Sequence, residues 1–217
     1  MRLYSVDRSP FGARVRAVIY FKSLPIEIVA PPDDGIKGPQ YLSINPMGRL
    51  PTLVLDDGGA LPESEIIVEY LEDAFPKPTL RPDNPVDRAR SRLLARIAEL
   101  YVMVPLFALF PQLAPANRDP AVVEALFRQV ADGLSHIERE LSDAGYAAGP
   151  GPTLADTALV PFLFWVEQIA RMFAEPDPFE RLPKLERYRT AMASDPLFGK
   201  IVKEMADDLA ALRAKSA

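Results

Sequence analysis

The fold class is decided first by residues 9–19, which read SPFGARVRAVI. Apolar side chains recur there at helical spacing, at Phe11, Val15, Val18 and Ile19. The helix is expected to begin directly after Ser9-Pro10, because proline suits the first turn of a helix. A short strand over residues 2–6 precedes it. A strand followed at once by a helix predicts the start of an α/β domain.

The next stretches add three short strands and a second helix. The second strand covers residues 26–28 and the third residues 52–55. An Asp-Gly-Gly turn then leads to a brief fourth strand around Ala60-Leu61, and a helix is entered at Glu63-Ser64. The order is strand, helix, strand, irregular segment, two hairpin strands, helix. This order predicts a thioredoxin-like domain over residues 1–75.

A second domain of different character follows a proline-rich linker. Four prolines lie within residues 76–85, where they forbid a continuous helix and mark a semi-rigid segment. Beyond it only helical periodicity is found. The predicted helices cover about residues 87–115 (bent at Pro105), 120–143, 153–174, 184–193 and 197–214. Residues 86–217 are therefore predicted to form an all-α domain.

Composition and charge argue against several classes of protein. Of the 217 residues, 48% are hydrophobic and 25% are charged, as in ordinary globular domains. The net charge of −5 argues against binding nucleic acid or an anionic membrane, which usually meet basic surfaces. With no cysteine and a single histidine, His136, no disulfide and no clustered metal site are expected. We also expect no membrane span of about 20 apolar residues, and hence a soluble, cytoplasmic protein.

Four motifs identify a family when they are taken together. They read SPFGARVR at residues 9–16, NPMGRLP at 45–51, ESEIIVEYLE at 63–72 and LADTALVPF at 154–162. In this order and spacing the chain resembles the soluble glutathione transferases, and within them the serine-using type of the tau class. Leu50 stands where the family pattern usually has valine or isoleucine. The resemblance implies a thioredoxin-like domain followed by an all-helical domain, with glutathione as co-substrate and no metal.

Ser9 is the catalytic residue that the resemblance implies. It lies between a strand and the first helix, where a ligand sulfur would meet its hydroxyl and the positive end of the helix dipole. The thiolate is the nucleophile, and the pKa of a free thiol is about 8.5. A hydrogen bond to the charged sulfur contributes about 1.5–3 kcal/mol, which lowers the thiol pKa by about one to two. Without the resemblance, an ordinary N-terminal helix cap is the favoured interpretation of Ser9.

The remaining glutathione-binding residues come from the same resemblance. Pro51 is implied to be cis, so that the Leu50 backbone faces the cysteinyl unit of the ligand, although a trans proline opening a strand also suits the sequence. Ser64 would bind the γ-glutamyl carboxylate and Glu63 its ammonium group, the alternative for Ser64 being a helix cap alone. Lys37 would bind the glycyl carboxylate, although loop lysines are often simply solvated.

An apolar second substrate is expected to bind where the helical domain faces Ser9. Its candidate walls are Phe11, Tyr101, Pro105 and Trp165. Aromatic and kinked apolar surface suits a hydrophobic electrophile. Core packing is the alternative for each of these side chains.

Charged residues on two helices predict a homodimer. The helix after Ser64 carries Glu65, Glu69, Glu72 and Asp73, and the next helix carries Arg88, Arg92 and Arg96. Such faces are often only solvated, but in a two-fold dimer the two helices can pair across the interface. Members of the family that this chain resembles are typically dimers joined there.

Arg14 is predicted to form a buried structural or interdomain salt bridge.

The predicted function is glutathione S-transfer, a detoxification reaction. The thiolate of bound glutathione attacks an electrophilic carbon of a hydrophobic substrate, and catalysis consists of positioning and thiolate stabilisation. A glutathione-dependent peroxidase or isomerase on the same site is the alternative enzyme. A non-enzymatic carrier of apolar ligands with the same fold is the alternative from another class.

Overall fold

A four-stranded sheet forms the centre of the N-terminal part of the chain in the computed structural model, which describes residues 1–216. Its strands are β1 (Arg2–Tyr4), β2 (Glu27–Val29), β3 (Thr52–Val54) and β4 (Ala60–Pro62). Across the sheet the order is β2-β1-β3-β4, with β1 parallel to β2 and antiparallel to β3, and β3 antiparallel to β4. This mixed sheet confirms the predicted thioredoxin-like α/β domain.

Helices α1 (Pro10–Phe21) and α3 (Ser64–Ala74) pack against each other beside the sheet, and a short helix, α2 (Pro39–Leu42), lies between β2 and β3 in the chain. Leu3 and Leu53 are paired across β1 and β3 and are fully buried. The apolar stripe that predicted α1 is buried with them, together with the inner face of α3, at Val15, Val18, Ile67 and Leu71. Burial of such side chains stabilises the fold by roughly 1.5–3 kcal/mol each.

The last helix, α9 (Pro196–Ser216), belongs with the N-terminal unit. The first compact unit consists of residues 1–80 together with the chain from Pro196 onward, and the second spans Arg81–Asp195. The predicted all-α domain, residues 86–217, includes this helix, so its boundary differs from that of the second compact unit. The physical reason is that α9 packs on α1, with Phe198, Ile201 and Met205 fully buried.

The second unit is all helical, as predicted. Its elements are α4 (Pro85–Ile97), a π-helical segment (Ala98–Met103), α5 (Val104–Ala108), 3₁₀ turns at Phe110–Leu113 and Pro115–Asn117, α6 (Pro120–Glu140), α7 (Leu154–Phe173) and α8 (Pro183–Ser194). Helix α7, which confirms the helix predicted over residues 153–174, is buried along most of its length. Several helices begin at proline, namely α1, α2, α4, α6, α8 and α9, because proline costs nothing at a first helical position.

The N-terminus of α7 is fixed by a buried aspartate. Asp156 accepts hydrogen bonds at 2.7 Å from the backbone N–H of Thr153 and at 2.8 Å from its hydroxyl. Its other carboxylate oxygen accepts from the Ala147 N–H at 2.8 Å and from the Tyr188 hydroxyl at 2.9 Å. Burial raises the pKa of this carboxyl, and these four donors counteract that rise. The capping box formed by Thr153 and Asp156 is therefore part of a wider network in the second unit.

The predicted helix over residues 87–115 is not one regular helix. It changes to π-helical geometry after Ile97 and its α-helical part ends at Ala108. Pro105 has no N–H to donate to the carbonyl of Tyr101, and a proline ring would collide with that carbonyl in a regular helix. The Tyr101 carbonyl instead lies against Gly133 of α6, where an added Cβ would be 2.4 Å from its oxygen. The bend predicted at Pro105 is therefore a widened turn just before the proline.

One helical stretch, Pro85–Leu113, is long and apolar enough to cross a membrane by length and composition alone. This corrects the expectation that no such stretch exists. Half of its most apolar 18-residue window is buried within the fold, where the stretch packs against α6 and α7. Its apolar character therefore fits the core helix of the helical unit.

Candidate active site

Three loops that carry predicted site residues leave the sheet at the same edge. Tyr4, the last residue of β1, is paired with Thr52, the first residue of β3, and Thr52 is paired with Pro62, the last residue of β4. Neighbouring strands lie about 4.8 Å apart, so these three residues form a short row. The loop after Tyr4 leads to Ser9, Leu50-Pro51 directly precedes Thr52, and Glu63-Ser64 directly follows Pro62.

Ser9 caps α1 and keeps a hydroxyl hydrogen to donate. Its backbone is extended, and its Oγ accepts a hydrogen bond from the Gly12 N–H at 3.1 Å. In this bond the hydroxyl is the acceptor, so its own hydrogen is not used. The side chain is partly exposed at the positive end of a 12-residue helix. The helix-capping role of Ser9 is therefore compatible with hydrogen-bond donation from its hydroxyl to a ligand.

The loop before β3 is held by two side chains that the sequence analysis did not single out. The Arg49 carbonyl accepts hydrogen bonds from the Tyr41 hydroxyl at 2.7 Å and from Asn45 Nδ2 at 3.0 Å. The following peptide bond, Leu50–Pro51, is cis, as the resemblance implies. Asn45 lies within the quoted NPMGRLP motif, which was a usable signal, whereas nothing in the local pattern marks Tyr41. Burial raises the pKa of Tyr41, which keeps its hydroxyl protonated as a donor.

Lys37 lies beside the same loop. Its Nζ donates to the Met47 carbonyl at 3.2 Å and is otherwise exposed to solvent. Gly48, with φ of +57°, permits this approach, since an added Cβ would be 2.9 Å from Lys37 Nζ. The structure therefore brings Lys37 next to the segment that leads to Leu50.

Glu63 and Ser64 form the start of α3. Glu63 has φ of +70° and ψ of 114°, a backbone conformation that costs a non-glycine residue roughly 1–3 kcal/mol. Ser64 is 5% exposed, and the Glu63 side chain is exposed. Strained positions of this kind cluster at ligand-binding sites, where surrounding structure maintains them. In the same first turn of α3, Glu65 pairs with the buried Arg14, so the predicted Arg14 salt bridge lies within the first unit.

The predicted walls of the second-substrate pocket are distributed over both units. Phe11 lies in the first turn of α1 and is partly exposed. Tyr101 is 56% exposed on the π-helical segment, where it contacts His136 edge-to-face. Pro105 and Trp165 are buried within the helical unit, and the Trp165 ring packs on Phe110 at 5.5 Å. For these last two residues the core-packing role is therefore the one visible in that unit.

Not all of the acidic residues predicted to form a face of α3 lie at the protein surface. Glu72 is 2% exposed and forms a 2.7 Å ion pair with the buried Lys22. Lys22 Nζ also donates to the carbonyls of Phe75 at 2.7 Å and Pro78 at 2.5 Å, and Glu72 accepts from the Leu80 N–H at 3.1 Å. This charge therefore has its partner inside the first unit and is not displayed for another subunit.

The site offers groups that suit a small molecule carrying both positive and negative charges. Ser9 and Ser64 each offer a hydroxyl at a helix N-terminus, Glu63 offers a carboxylate and Lys37 an ammonium group. No group of three or more His, Asp or Glu side chains in residues 1–216 is close enough to hold a metal ion. The chemistry visible at this edge of the sheet is therefore hydrogen bonding and charge pairing.

Two family profiles match the chain in the expected order. The profile of the glutathione S-transferase N-terminal domain matches residues 3–79, and that of the glutathione S-transferase C-terminal domain matches residues 120–191. This chain belongs to the glutathione S-transferase family. Family membership confirms the enzyme family and the two-part fold that the motifs predicted, with the β1–α1 and β4–α3 loops inside the first matched segment.

Individual relatives agree with this assignment. Maleylacetoacetate isomerase of Pseudomonas aeruginosa is 31% identical over 206 residues, which is 91% of this chain and 93% of the relative. A probable glutathione S-transferase GSTU1 of Oryza sativa subsp. japonica is 35% identical over 164 residues, which is 72% of this chain and 70% of the rice protein. The crystal structure of a glutathione S-transferase from Methylobacterium radiotolerans, in complex with glutathione sulfonate, matches with a TM-score of 0.78 at 27% identity and 93% coverage of both chains.

The relatives do not single out the tau class. The bacterial isomerase matches a larger share of this glutathione transferase than the rice protein does, at similar identity. The resemblance to the family is therefore confirmed, whereas the resemblance to one class within it is not.

Proposed function

We propose that the protein binds glutathione, stabilises its thiolate through Ser9 and transfers it to a hydrophobic electrophile. The observation that carries this proposal is the Ser9 hydrogen bond, in which Oγ accepts from Gly12 N–H and leaves the hydroxyl hydrogen for a ligand sulfur. A hydrogen bond to a charged sulfur contributes about 1.5–3 kcal/mol, which makes the thiolate a major species near neutral pH. Ser9 acts as a donor and is not itself deprotonated.

The tripeptide is proposed to lie along the row of strand ends. Its cysteinyl backbone would pair with Leu50 before the cis Pro51. Its γ-glutamyl group would bind at Ser64 and Glu63, where the strained backbone supports a ligand-binding role. Its glycyl carboxylate would pair with Lys37, which the Met47 carbonyl holds beside the loop.

The electrophile is proposed to bind at a site formed by aromatic and apolar residues, namely Phe11, Tyr101, Pro105 and Trp165. Tyr101 has the strongest support, because it is largely exposed on a π-helical segment, a geometry that recurs at functional sites. Pro105 and Trp165, being buried, would act by shaping the helix and its neighbours. Replacing Tyr101 with alanine should change relative rates among electrophiles more than it changes glutathione affinity.

A glutathione-dependent isomerase is the second candidate. It is supported by the likeness to maleylacetoacetate isomerase of Pseudomonas aeruginosa over 91% of the chain. In such a reaction the thiolate would add to a double bond, allow rotation and leave again, so that glutathione is not consumed. A peroxidase would use the same thiolate on a peroxide, and a carrier would bind apolar ligands without turnover.

The test is a set of assays on the purified wild-type chain with glutathione. Conjugation is followed with an aryl halide and an isothiocyanate, isomerisation with a cis-enone diacid, and peroxidation with an organic hydroperoxide. Conjugation turnover, with one glutathione consumed for each product, supports the main proposal. Isomerisation without glutathione consumption would replace it with the second candidate. Apolar-ligand binding with no turnover in any assay would leave only the carrier.

A homodimer and a cytoplasmic detoxifying role belong to the same proposal. Support for a dimer comes from apolar residues that are exposed at seven-residue spacing along α4 and the π-helical segment, namely Val86, Leu93 and Leu100. Ile66 on α3 is likewise exposed. A sedimentation mass near one subunit at micromolar protein would contradict the dimer, and fractionation of the source cells tests the location.

A further inference from the structure

The C-terminal helix holds the residue that directly precedes Ser9. The Asp208 carboxylate on α9 accepts a hydrogen bond from the Arg8 backbone N–H at 2.9 Å. The same carboxylate accepts from Arg8 Nη1 at 3.0 Å through one oxygen and at 3.3 Å through the other. One side chain, 200 positions away in the sequence, therefore binds both the backbone and the guanidinium of Arg8.

A second carboxylate on α9 acts on the same loop through Arg16. The Arg16 guanidinium is fully buried and donates to Ser5 Oγ at 3.1 Å, to the Val6 carbonyl at 3.1 Å and to the Asp7 carbonyl at 2.8 Å. Its Nε donates to Glu204 at 3.3 Å. A buried guanidinium needs a nearby negative charge. Glu204 supplies one from α9, and the Asp7 carboxylate of the loop itself lies 3.6 Å from Arg16 Nε.

These contacts matter because the β1–α1 loop has no regular structure of its own. Residues 5–8 belong to neither a strand nor a helix. The Ser5 N–H donates to the Val29 carbonyl at 2.9 Å, and side chains add to such backbone hydrogen bonds in fixing the loop. Arg16 binds the loop at residues 5–7, and Asp208 binds it at Arg8. Ser9 follows immediately, with its N–H donating to the Val6 carbonyl at 3.0 Å. The position of the Ser9 hydroxyl is therefore set by α9 as well as by α1.

We propose that Asp208 is a positioning residue for Ser9, with Glu204 supporting it through Arg16, so that α9 is part of the apparatus that stabilises the glutathione thiolate. This inference rests on the proposed function of Ser9. Misplacement of a catalytic group by about 1 Å can cost roughly 10²-fold in rate, so a loosened loop would reduce thiolate stabilisation without removing any atom that touches glutathione. A solvent-exposed ion pair with no such role would contribute about 0–1 kcal/mol to stability and nothing to the thiol pKa.

The experiment compares Asp208→Ala and Asp208→Asn with Asp207→Ala. Asp207 is the matched control, because it is the neighbouring carboxylate on α9 and pairs with Lys203 at 2.5 Å on an exposed surface. The asparagine variant keeps an oxygen that can accept from the Arg8 N–H but loses the charge. Readouts are the pKa of the bound glutathione thiol from thiolate absorbance, kcat/KM for conjugation, affinity for an S-alkyl glutathione, and melting temperature.

For Asp208→Ala we expect the thiol pKa to rise by about 0.5–1 and kcat/KM at neutral pH to fall about tenfold. S-alkyl glutathione affinity should stay within about twofold, because the tripeptide contacts remain. Asp208→Asn should recover part of the loss, and Asp207→Ala should match wild type. A folded Asp208→Ala protein with wild-type thiol pKa and rate would overturn the proposal, as would losses that only follow melting temperature in all three variants.

Failure of the proposed function itself gives a different result. In that case wild type shows neither a bound thiolate nor turnover with glutathione. Hydrogen exchange of the Arg8 and Ser9 amides then tests the positioning role without activity. Faster exchange of both amides in Asp208→Ala but not in Asp207→Ala supports it, and unchanged exchange would overturn it.

Discussion

Gly12 lies so close to Ser5 that a Cβ built on Gly12 would stand 2.1 Å from the Ser5 hydroxyl oxygen and 3.3 Å from the Ser9 Cβ. The first turn of α1 therefore packs directly on the β1–α1 loop. The Ser5 hydroxyl is itself fixed there, since it accepts from Arg16 at 3.1 Å. A glycine at this point lets one buried arginine bind the loop that carries Ser9.

Replacing Gly12 with alanine should destabilise the protein even though alanine favours helix. The helix gains at most about 1 kcal/mol, whereas rotation of the Ser5 hydroxyl breaks its bond to a charged guanidinium, worth about 1.5–3 kcal/mol. We expect a net loss of about 1–2 kcal/mol in the free energy of unfolding and a lower conjugation rate. Denaturant unfolding and kcat/KM measure the two effects.

The matched controls for this variant are Gly151→Ala and the double variant Ser5→Ala/Gly12→Ala. The space around Gly151 accommodates a methyl group, so its alanine variant should be neutral. Removing the Ser5 hydroxyl removes the closest contact, so the double variant should be less destabilised than the sum of the two single variants. Strict additivity would show that a clash between the added Cβ and the Ser5 hydroxyl does not cause the destabilisation of Gly12→Ala.

Glu72→Gln should be strongly destabilising, because it leaves the buried Lys22 charge without its carboxylate. Removing one partner of a buried ion pair costs about 3–5 kcal/mol in the free energy of unfolding. Urea unfolding of Glu72→Gln, Lys22→Met and the double variant gives the coupling energy between the two residues. Glu124→Gln is the control, because its pair with Arg128 is exposed and should cost less than about 0.5 kcal/mol. Equal small losses at both sites would contradict a stabilising buried pair.

Much of the fold could be predicted because its signals are local. The stripe from Phe11 to Ile19, the alternating strands and the prolines at helix starts each show within a dozen residues of sequence. The π-helical segment could not be predicted, since one widened turn leaves no distinct apolar period and Pro105 alone indicates only a bend.

The site shows the same division. Pro51 and Ser64 lie within two residues of strand ends, and Ser9 follows β1 after a short loop. The pairing of Tyr4, Thr52 and Pro62 brings those strand ends together. The supports of the site could not be predicted, because they join residues far apart in the chain. Asp208 binds Arg8, and Glu72, which the charge pattern predicts to be a surface carboxylate, pairs with the buried Lys22. The placement of α9 with the first unit likewise rests on packing between distant parts of the chain, since α9 packs on α1.

Glu63→Gln should weaken glutathione binding more than it slows turnover at saturation. The carboxylate would bind the ammonium of the γ-glutamyl group, remote from the sulfur, so its contribution is equal in the ground state and the transition state. We expect a rise of about tenfold in the dissociation constant, measured by calorimetry, with kcat changed less than about threefold. Glu27→Gln, which removes an exposed carboxylate paired with Arg2, should bind as wild type does. Unchanged affinity in Glu63→Gln would remove Glu63 from the glutathione site.

Ser9→Ala should separate thiolate stabilisation from helix capping. The variant loses the bond from Gly12 N–H, which costs about 1 kcal/mol of stability as for other caps, and it also loses the donor to the sulfur. We expect the pKa of the bound glutathione thiol to rise by about one to two, and the conjugation rate at neutral pH to fall roughly ten- to hundredfold. The fall in rate should shrink as pH rises through the raised thiol pKa, because the thiolate then forms without help from Ser9.

The controls are Ser9→Thr and Ser43→Ala. Ser9→Thr keeps both the cap and the donor and should retain most activity, and Ser43→Ala, which changes an exposed serine, should behave as wild type. Wild-type rate and thiol pKa in Ser9→Ala would mean that Ser9 is only a cap, and the donor would then be sought among the backbone amides of the first turn of α1.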